Sequence, residues 1–585
     1  MNRQWWMRHK YSMIFIAFLI CFYGYHIGRV YGFVFFPDEF GYWTYAAQLS
    51  GYDWSDIVSL GSYYSYGYSL ILFPIFYFCN DAVIAYRVAV TCNFILLGAT
   101  FFLLLFLVKR LFRTQQNVNL CLAVAVTVFY PSWLFYARTT MVETVLMTVF
   151  ILICVLLYRY LEKNKWSTLV GLVLGIVYIH FLHMRAIGVL IAGVITLVIY
   201  FLCQSGKWKQ FLLMVLCGAG MLAAGFFVKE WVQSVLYESS EAGMLQINDY
   251  AGQLEKVWFL FSKEGMKNFV SGLAGKVLYL GIASFGLAYW GIWKACKEVV
   301  VFFRDKIKKR KTKNQNLFYL FILLTTIGEI LINTIYNVRP IRVDSVTYGR
   351  YHEFVMPVLM LLGIVELLQT TRKGRGTVAI LLLELPMVSL LLESINRYSL
   401  TDMHGYVMVG MSYLHQMETF EPNRYFWQTY AFGATLTCLV VAMIHVAQRF
   451  KREYHVQEIA LVLLIVLEFV LSVRASALYT EPSTMGAYRD TVLAEYIQEL
   501  QNGRENSRLV YIHKEEKTII SILQFMLRDE DIIVIPRKES ISQYTEEELT
   551  ENDLIILDFD SSYAQEVEKY FRQHILHGHF AVYYN

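Results

Sequence analysis

The sequence is poor in charge, proline and cysteine, and each shortage excludes a class of protein. Only 17% of the 585 residues are charged, whereas 57% are hydrophobic, and the mean hydropathy is +0.43. These values exclude a soluble enzyme and an intrinsically disordered chain. The 9 cysteines fall in or beside apolar stretches, which argues against a secreted disulfide framework and against a thiolate metal site. What remains is a membrane protein that crosses the bilayer many times.

Further features are missing. The sequence has no Asn-x-Ser/Thr sequon, which favours a bacterial plasma membrane over an endoplasmic reticulum. It has no repeat of fixed period and no matched pair of short, interrupted spans, so an inverted-repeat transporter is not indicated. The basic run from Arg304 to Lys313 is explained as a signal for cytoplasmic orientation. We therefore expect no nucleic-acid partner.

Long apolar runs dominate what is present. A bilayer-spanning helix needs roughly 17 to 25 apolar residues, and the sequence predicts 13 such spans. They lie at about 12–35, 83–108, 118–137, 141–158, 167–183, 186–203, 209–228, 273–293, 316–335, 351–369, 377–395, 427–447 and 457–475. The predicted fold is therefore mainly α, a polytopic transmembrane helical bundle over residues 1–475.

The distribution of basic residues predicts the orientation of this bundle. Seven short segments that alternate with the spans hold 26 of the 51 lysines and arginines, as cytoplasmic segments should. This alternation places the N-terminus in the cytoplasm. An odd number of spans then places residues 476–585 on the extracytoplasmic side.

Residues 476–585 are predicted to form a small α/β domain. From Glu481 onward the chain carries 20 acidic and 10 basic residues. Strand-like runs alternate with helix-like ones and carry no nucleotide-binding or hydrolase motif, so a structural or docking role is predicted. The strands are expected at 509–513, 531–535, 553–559 and 580–584, and the helices at 488–501, 515–527 and 562–574.

The first extracytoplasmic loop, residues 37–82, carries the strongest functional signal. It opens with Pro37, Asp38 and Glu39, and 10 aromatic residues lie between Phe40 and Tyr68. A carboxylate at this position can act as a general base toward an acceptor hydroxyl, and aromatic faces with polar tips suit a sugar. The candidates for acceptor or sugar contact are Tyr42, Trp43, Tyr63, Tyr64, Glu143 and His183.

Arginines on the same predicted side can bind a phosphate, because the guanidinium fork is always protonated. The candidates for the donor phosphate are Arg138, Arg185, Arg339, Arg342 and Arg350, together with Tyr351. Glu143 lies near the start of a span, where an acidic group faces a cavity or pairs with another charge; its nearest candidate partner is Arg138. His180 and His183 lack a third ligand, so no metal site is predicted. A divalent cation is the one cofactor that the phosphate chemistry allows.

These motifs resemble the GT-C membrane glycosyltransferases, and the nearest branch is that of the protein O-mannosyltransferases and the aminoarabinose lipid A transferases. The resemblance rests on the loop that opens with Pro37-Asp38-Glu39, on Pro131, Arg138 and Glu143 around one turn, and on Gly349-Arg350-Tyr351 before a later span. It covers about residues 10–370 and does not reach the tail.

The resemblance implies an activity and residue roles. The donor would be a polyprenyl-phosphate monosaccharide, and the sugar would be transferred with inversion to a cell-envelope glycan, lipid or protein. Asp38 would be the catalytic base, Glu39 would support it or bind the acceptor, and Arg350 with Tyr351 would contact the lipid phosphate. Other classes stay open: a polysaccharide polymerase or ligase, a flippase or transporter for lipid-linked glycans, and a membrane scaffold.

Overall fold

The computed structural model shows a mainly helical membrane protein with a small mixed β-sheet at its C-terminal end. It describes residues 3–585 except for 36, 62–63, 113–116, 205, 238–252, 311, 371–372, 417–418, 450–454, 505–506 and 514–518. The helices before residue 240 are α1 Arg3–Ile27, α2 Asp38–Leu49, α3 Ser55–Ser59, α4 Ser69–Phe78, α5 Ala82–Leu111, α6 Asn117–Val128, α7 Pro131–Tyr136, α8 Glu143–Lys163, α9 Trp166–Leu182, α10 Ile187–Leu202 and α11 Trp208–Leu236.

The second half of the chain continues the bundle and then forms the sheet. Its helices are α12 Gln253–Phe259, α13 Lys263–Ala283, α14 Leu287–Ile307, α15 Leu317–Tyr336, α16 Met356–Gln369, α17 Lys373–Arg397, α18 Pro422–Arg449, α19 Val456–Asn502, α20 Ser521–Met526 and α21 Ala564–Val567. The strands are β1 Leu509–His513, β2 Ile532–Pro536, β3 Leu554–Asp558, β4 Gln573–His577 and β5 Phe580–Tyr584. Short 3₁₀ turns occupy Met184–Ala186, Asn314–Asn316, Val343–Val346, Gly349–Tyr351, Glu353–Val355, Gly405–Leu414 and Ile541–Gln543.

The long apolar helices confirm an integral membrane protein, but the predicted count of 13 spans is wrong. Within the described residues, 9 helices are long and apolar enough to cross a membrane, or up to 11 if each of two bent helix pairs is one span. The run 118–137 forms the short helices α6 and α7, which are buried inside the protein. The run 167–183 forms α9, which has only 17 residues. Hydropathy cannot distinguish a protein-buried apolar helix from a lipid-facing one, so the run 118–137 resembles a span in the sequence. The run 167–183 does so because its length is at the lower limit for a span.

A third run, 273–293, also differs from its prediction as a single straight span. It covers the end of α13 and the start of α14, and these two helices meet at an angle of 106°. The break lies at Ser284, Phe285 and Gly286, where Phe285 and Gly286 have φ angles of +52° and +76°. A left-handed conformation ends a right-handed helix, so the apolar run continues through a sharp turn.

The C-terminal sheet agrees with four of its predicted strands and adds one. The strand order is β2-β1-β3-β5-β4; β1 pairs in parallel with β2 and β3, while β5 is antiparallel to β3 and β4. The strand β4 lies at the edge of the sheet and exposes most of its polar residues. Strand β4 therefore lacks the apolar alternation that predicted the other strands. The helix expected at 562–574 is wrong at its C-terminal end, because its last two residues belong to β4. Only Ala564–Val567 of that segment is α-helical.

Alternate residues of the sheet pack into two separate cores. Leu509, Tyr511, Leu554, Ile556 and Val582 belong to the same buried cluster as the membrane helices. The opposite face forms a smaller core of its own, which includes Val510, Ile512, Ile555, Leu557, Tyr563 and Val567. One face of the sheet is thus continuous with the core of the bundle.

Helix α19 joins the bundle to the sheet. It has 47 residues and is therefore about 70 Å long at 1.5 Å per residue. The predicted domain boundary at 475/476 lies inside this continuous helix. The expected separate helix at 488–501 is its C-terminal part.

Candidate functional site

A cavity of about 280 Å³ brings together several of the predicted site residues. Its walls come from the start of α2, the loop before α4, the turn between α9 and α10, the end of α15 and the segment 343–351. The lining residues are Asp38, Tyr64, Ser65, His183, Met184, Arg185, Ile187, Ile332, Ile335, Tyr336, Tyr348, Arg350 and Tyr351. The lining combines charged and aromatic side chains with aliphatic ones.

Asp38 is the first residue of α2 and lies in the cavity wall. Its Oδ1 accepts a hydrogen bond of 2.7 Å from the hydroxyl of Tyr64, and its Oδ2 accepts one of 2.5 Å from Nη1 of Arg350. The side chain is 29% exposed. The partial positive charge at the start of a helix favours an acidic side chain in its first turn, and the side chain of Asp38 lines the cavity.

A chain of ion pairs continues from Asp38 into the protein. Nε of Arg350 donates to Oε1 of Glu143, and Nη2 of Arg185 donates to the same oxygen at 2.8 Å. These three side chains are 2 to 4% exposed. Two carboxylates and two guanidiniums thus balance in formal charge, as buried ions must. Glu143 therefore pairs with Arg185 and Arg350, and the predicted pairing with Arg138 is wrong.

Arg185 has unused capacity for a ligand. Its Nε and Nη1 are buried and have no hydrogen-bond partner among the described residues, although the side chain lines the cavity. Its guanidinium lies 4.7 Å from the centroid of the Tyr351 ring, and this stacking fixes the plane of the fork. Buried guanidinium donors without a partner are suited to an anion that enters the cavity.

Four tyrosines form an aromatic wall around the charged groups. The ring centroids of Tyr348 and Tyr351 are 4.7 Å apart, and those of Tyr336 and Tyr351 are 5.5 Å apart. Tyr64 completes the wall beside Asp38, and burial together with the Asp38 charge raises its pKa well above the ordinary value. Its hydroxyl therefore stays protonated and continues to donate to Asp38.

The segment that carries Arg350 has a strained backbone. Tyr348 has a φ of +35°, a left-handed conformation that is costly for a bulky residue. It is held there by a hydrogen bond of 2.8 Å from Nδ2 of Asn333 to its carbonyl. The next residue is Gly349, where a Cβ would lie 2.1 Å from Cζ of Tyr279. This packing fixes the direction in which Arg350 leaves the chain.

His183 contributes a neutral hydrogen-bond donor. Its Nδ1 accepts the backbone N–H of Arg185 at 3.2 Å, so the ring proton resides on Nε2. Burial, with Arg185 and Arg350 nearby, lowers the pKa of this imidazole well below its ordinary value. His183 lines the cavity as a neutral imidazole.

Glu39 lies apart from the cavity, although it adjoins Asp38 in sequence. It is fully buried, and its Oε1 accepts the backbone N–H groups of Val34 and Phe35 at 2.6 and 2.8 Å. Its Oε2 accepts from the Tyr86 hydroxyl at 2.6 Å and from both the N–H and the hydroxyl of Thr140. Burial raises the pKa of Glu39, and these hydrogen bonds oppose the rise. Its five donors anchor the start of α2, which is a structural role.

The aromatic candidates of the first loop are divided between the cavity and the core. Tyr64 lines the cavity. Tyr42 is fully buried behind it, with the two ring centroids 5.4 Å apart. Trp43 is buried against Phe525 of the C-terminal domain and donates its indole N–H to Thr140 at 3.0 Å. Tyr63 lies outside the described residues.

Three of the five candidate arginines lie away from the cavity lining. Arg138 is buried elsewhere, and its Nε and Nη1 have no hydrogen-bond partner among the described residues. Arg339 is about half exposed and pairs with Glu255 at 2.9 Å. Arg342 pairs with Asp344 at 3.2 Å. Arg185 and Arg350, with Tyr351, are the phosphate candidates that the fold brings together.

Sequence reasoning missed several residues of the cavity. Tyr336 and Tyr348 were not selected, although Tyr348 lies only two residues before Arg350. Met184, Ile187, Ile332 and Ile335 form the aliphatic wall but are indistinguishable in sequence from lipid-facing or core residues. A search for tyrosines beside the arginine candidates would have found both aromatic residues.

The donor set of the cavity does not suit a divalent cation. Asp38 is the acidic residue of the lining, with Glu143 behind Arg185 and Arg350, and each carboxylate is already bonded to a guanidinium. No cluster of three histidine, cysteine, aspartate or glutamate side chains with metal-binding geometry occurs in the described part of the chain. A cation placed here would be repelled by Arg185 and Arg350.

Comparison with solved structures gives a match over nearly the whole chain. The protein is similar to ArnT from Cupriavidus metallidurans in the apo state, with a TM-score of 0.50, 12% sequence identity, and coverage of 98% of this chain and 97% of that one. The same protein bound to undecaprenyl phosphate matches with a TM-score of 0.49 and 10% identity, covering 98% of each chain.

ArnT is the aminoarabinose lipid A transferase, a GT-C glycosyltransferase. The resemblance predicted from the sequence is therefore confirmed at the level of the fold. No family model matches the sequence, and no curated protein matches it.

Proposed function

We propose that the protein is an integral-membrane glycosyltransferase that moves a monosaccharide from a polyprenyl-phosphate donor to an extracytoplasmic acceptor hydroxyl. The observation that carries this proposal is the juxtaposition of Asp38 with Arg350, beside the unpartnered donors of Arg185, in one cavity. The ArnT fold supports it. The cell-envelope acceptor, the bacterial plasma membrane and the extracytoplasmic position of the C-terminal domain are parts of the same proposal.

The cavity has the parts that a lipid-linked sugar requires. The phosphate would bind Arg185 and Arg350, which offer charge-assisted hydrogen bonds. The prenyl chain would lie against Met184, Ile187, Ile332 and Ile335, the aliphatic part of the lining. The sugar would lie between these regions, against the rings of Tyr64, Tyr336, Tyr348 and Tyr351 and near the neutral imidazole of His183.

Donor binding would change the state of Asp38. In the ligand-free arrangement, Arg350 bonds both Asp38 and Glu143. A phosphate at Arg350 competes with Asp38 for the guanidinium, and the carboxylate oxygen released from Arg350 is then free to accept a hydrogen bond from the acceptor hydroxyl. Glu143 remains bound to both arginines and keeps them in place. The donor would thus activate the base that its own transfer needs.

The transfer step balances in atoms and charge. The acceptor oxygen attacks the anomeric carbon, and its proton passes to a carboxylate oxygen of Asp38. The bond between the anomeric carbon and the phosphate oxygen breaks, and its electron pair goes to that oxygen. Arg185 and Arg350 stabilise the charge that develops on the departing phosphate. Attack opposite to the leaving group inverts the anomeric carbon.

The test is release of free polyprenyl phosphate from a panel of polyprenyl-phosphate monosaccharides. Purified protein in lipid nanodiscs receives cell-envelope extract as the acceptor source. The comparison uses wild type, Asp38→Asn, and Asp53→Asn, an exposed aspartate of the same loop. Release by wild type and Asp53→Asn but not by Asp38→Asn supports the proposal. Transport of the lipid without any product, unchanged in Asp38→Asn, overturns it in favour of a flippase.

A further inference from the structure

Arg528 of the C-terminal domain is buried against the first loop. It lies two residues after α20, and its side chain is only 6% exposed. Its guanidinium donates to the carbonyls of Phe76 and Cys79 and lies 3.4 Å from the Tyr52 hydroxyl. Its Cζ is 4.0 Å from the centroid of the Phe76 ring. Phe76 lies in the last turn of α4 and Cys79 directly follows the helix, where carbonyl groups lack partners within the helix.

Arg528 is therefore a cap for α4 supplied from more than 440 residues away in sequence. A guanidinium at a helix C-terminus satisfies the free carbonyls and interacts favourably with the helix dipole. A lysine has one compact ammonium and cannot present the same planar fork to several acceptors. The geometry of this contact is thus specific for arginine.

The capped helix packs directly on the helix that begins with Asp38. The ring centroids of Phe76 in α4 and Trp43 in α2 are 5.9 Å apart. The hydroxyl of Ser69 at the start of α4 donates to the carbonyl of Tyr42 in α2 at 2.6 Å. Both helices belong to the first loop, and a shift of α4 therefore moves α2.

Three more contacts hold the same two parts together. The indole N–H of Trp54 donates to the carbonyl of Arg528 at 3.1 Å. Oδ2 of Asp56 accepts the backbone N–H of Val534 at 3.2 Å. The ring of Phe525 lies 5.1 Å from that of Trp43 between centroids. The first loop is thus fastened along its length to the C-terminal domain.

The remaining groups of the cavity depend on other elements. Arg185 is carried by the turn between α9 and α10, Tyr336 by the end of α15, and Arg350 with Tyr351 by the segment 343–351. Apart from a bond to the neighbouring Asp529, the side-chain hydrogen bonds of Arg528 reach the first loop. Loosening them would displace Asp38 and leave the phosphate-binding arginines in place.

We propose that the C-terminal domain is a clamp on the first loop, and that Arg528 is a positioning residue for Asp38. Of the groups proposed to bind the donor, only Tyr64 belongs to the first loop, so the domain would act on turnover far more than on donor binding. This inference rests on the proposed function for the role of Asp38. The clamp itself is a physical contact that can be measured whether or not the protein transfers a sugar.

The first test measures the clamp without any substrate. Hydrogen exchange of the full-length protein in nanodiscs is followed in peptides that cover α2 and α4. Arg528→Ala should speed exchange in both by about tenfold or more, because the end of α4 loses its cap. The matched control is Arg537→Ala, which removes an exposed arginine of the same domain that bonds Ser562 at 3.1 Å. Arg537→Ala should leave hydrogen exchange in the α2 and α4 peptides at the wild-type rate. Arg528→Ala should leave exchange unchanged in the peptides around Arg185 and Arg350.

The second test separates binding from turnover. Arg528→Ala should lower kcat by about 10- to 100-fold, since a displacement of about 1 Å is enough for such a loss. Its Kd for a polyprenyl-phosphate sugar should change far less, because both phosphate-binding arginines lie outside the first loop. Arg528→Lys should recover part of kcat. Equal losses in donor binding and kcat would overturn the positioning role, and so would unchanged exchange in α2 and α4.

A conservative variant guards against a folding defect. Trp54→Phe keeps an aromatic ring but removes the N–H that bonds the Arg528 carbonyl, together with part of the buried indole. It should give a smaller change in the same direction in both measurements. If Arg528→Ala does not fold, the test rests on Trp54→Phe and Arg528→Lys. The clamp is overturned if both of these variants show wild-type hydrogen exchange and wild-type kcat. If wild type transfers no sugar but the exchange results are as expected, the proposed function fails and the clamp stands.

Discussion

The guanidinium of Arg350 and the carboxylate of Asp38 are joined by a hydrogen bond of 2.5 Å, although 312 residues separate them in sequence. The bond connects the first loop to the segment before α16. It also places the proposed base next to a proposed phosphate ligand. Transfer by this account requires both residues, but for different reasons, and variants of each should fail at different steps.

Arg350→Ala should weaken donor binding. The variant removes the charge-assisted hydrogen bonds that the phosphate would receive, each worth about 1.5 to 3 kcal/mol. We expect the Kd for the polyprenyl-phosphate sugar to rise by about 10- to 100-fold, with a further loss in kcat. Titration of the donor onto the protein in nanodiscs measures this Kd. The control is Arg339→Ala, whose side chain is 52% exposed and lies outside the cavity lining, and an equal effect in both variants would refute the assignment of Arg350.

Glu143→Gln should destabilise the protein more than Asp38→Asn does. Glu143 is 2% exposed and neutralises two buried guanidiniums. Removal of one partner from a buried ion pair costs about 3 to 5 kcal/mol. Asp38 is 29% exposed, and solvent can compensate its partner. Thermal unfolding in one detergent should give the lower Tm for Glu143→Gln, and the reverse order would contradict the charge balance described for the cavity.

Gly349→Ala should impair both binding and turnover, because it acts on the backbone that directs Arg350. A Cβ there would lie 2.1 Å from Cζ of Tyr279, so the segment must shift. The matched control is Gly374→Ala, where nothing lies within 4 Å of the added Cβ. We expect the first variant to lose at least about tenfold in kcat/KM and the second to keep wild-type values. Normal activity of Gly349→Ala would show that the position of Arg350 is not critical.

The hairpin of β4 and β5 should dock on α19 in a pH-dependent way. His579 bonds Asp490 through Nδ1 at 2.7 Å. This bond, supported by Asp558 and opposed by burial and by Arg489, raises the pKa of His579 above 6.5. A raised pKa in the folded state means that the contribution to stability is complete below about pH 6.5. It is lost as the pH rises through the folded-state value.

Hydrogen exchange of residues 573–584 measures this dependence, after correction for the intrinsic effect of pH on exchange. Wild type should show greater protection at pH 6 than at pH 9. In His579→Gln the corrected protection should be independent of pH. A pH-dependent difference that persists in His579→Gln would exclude the imidazole as its source.

The sequence identified the reacting groups better than it identified their surroundings. The sequence predicts Asp38 as a base because it opens an aromatic-rich loop after the first span, and Arg185 and Arg350 as phosphate ligands because their guanidinium groups carry a fixed positive charge. The fold brings all three to one cavity. Glu39 carries a carboxylate like Asp38, and Arg138 a guanidinium like Arg185 and Arg350. The side chains of Glu39 and Arg138 are nevertheless buried in other parts of the protein. Which side of a helix faces a cavity depends on tertiary packing, and one sequence does not contain that information in readable form.

The span count fails for a related physical reason. The helices α6 and α7 are apolar because they are buried in protein, and α13 and α14 are apolar on both sides of a sharp turn. Hydropathy records only transfer out of water, which is equally favourable into protein and into lipid. Arg528 shows the complementary limit, because it resembles an ordinary charged residue of an acidic tail and becomes informative only when the tail packs on the first loop.

The most direct test of the account is a single turnover of bound donor by Asp38→Asn. Donor is bound to wild type, Asp38→Asn and the control Asp53→Asn in nanodiscs, acceptor is added, and release of polyprenyl phosphate is followed over time. We predict that Asp38→Asn binds donor with a Kd close to that of wild type and releases product about 10² to 10⁴ times more slowly, the usual contribution of a general base. Release by Asp38→Asn at the wild-type rate would contradict the central claim that Asp38 is the catalytic base.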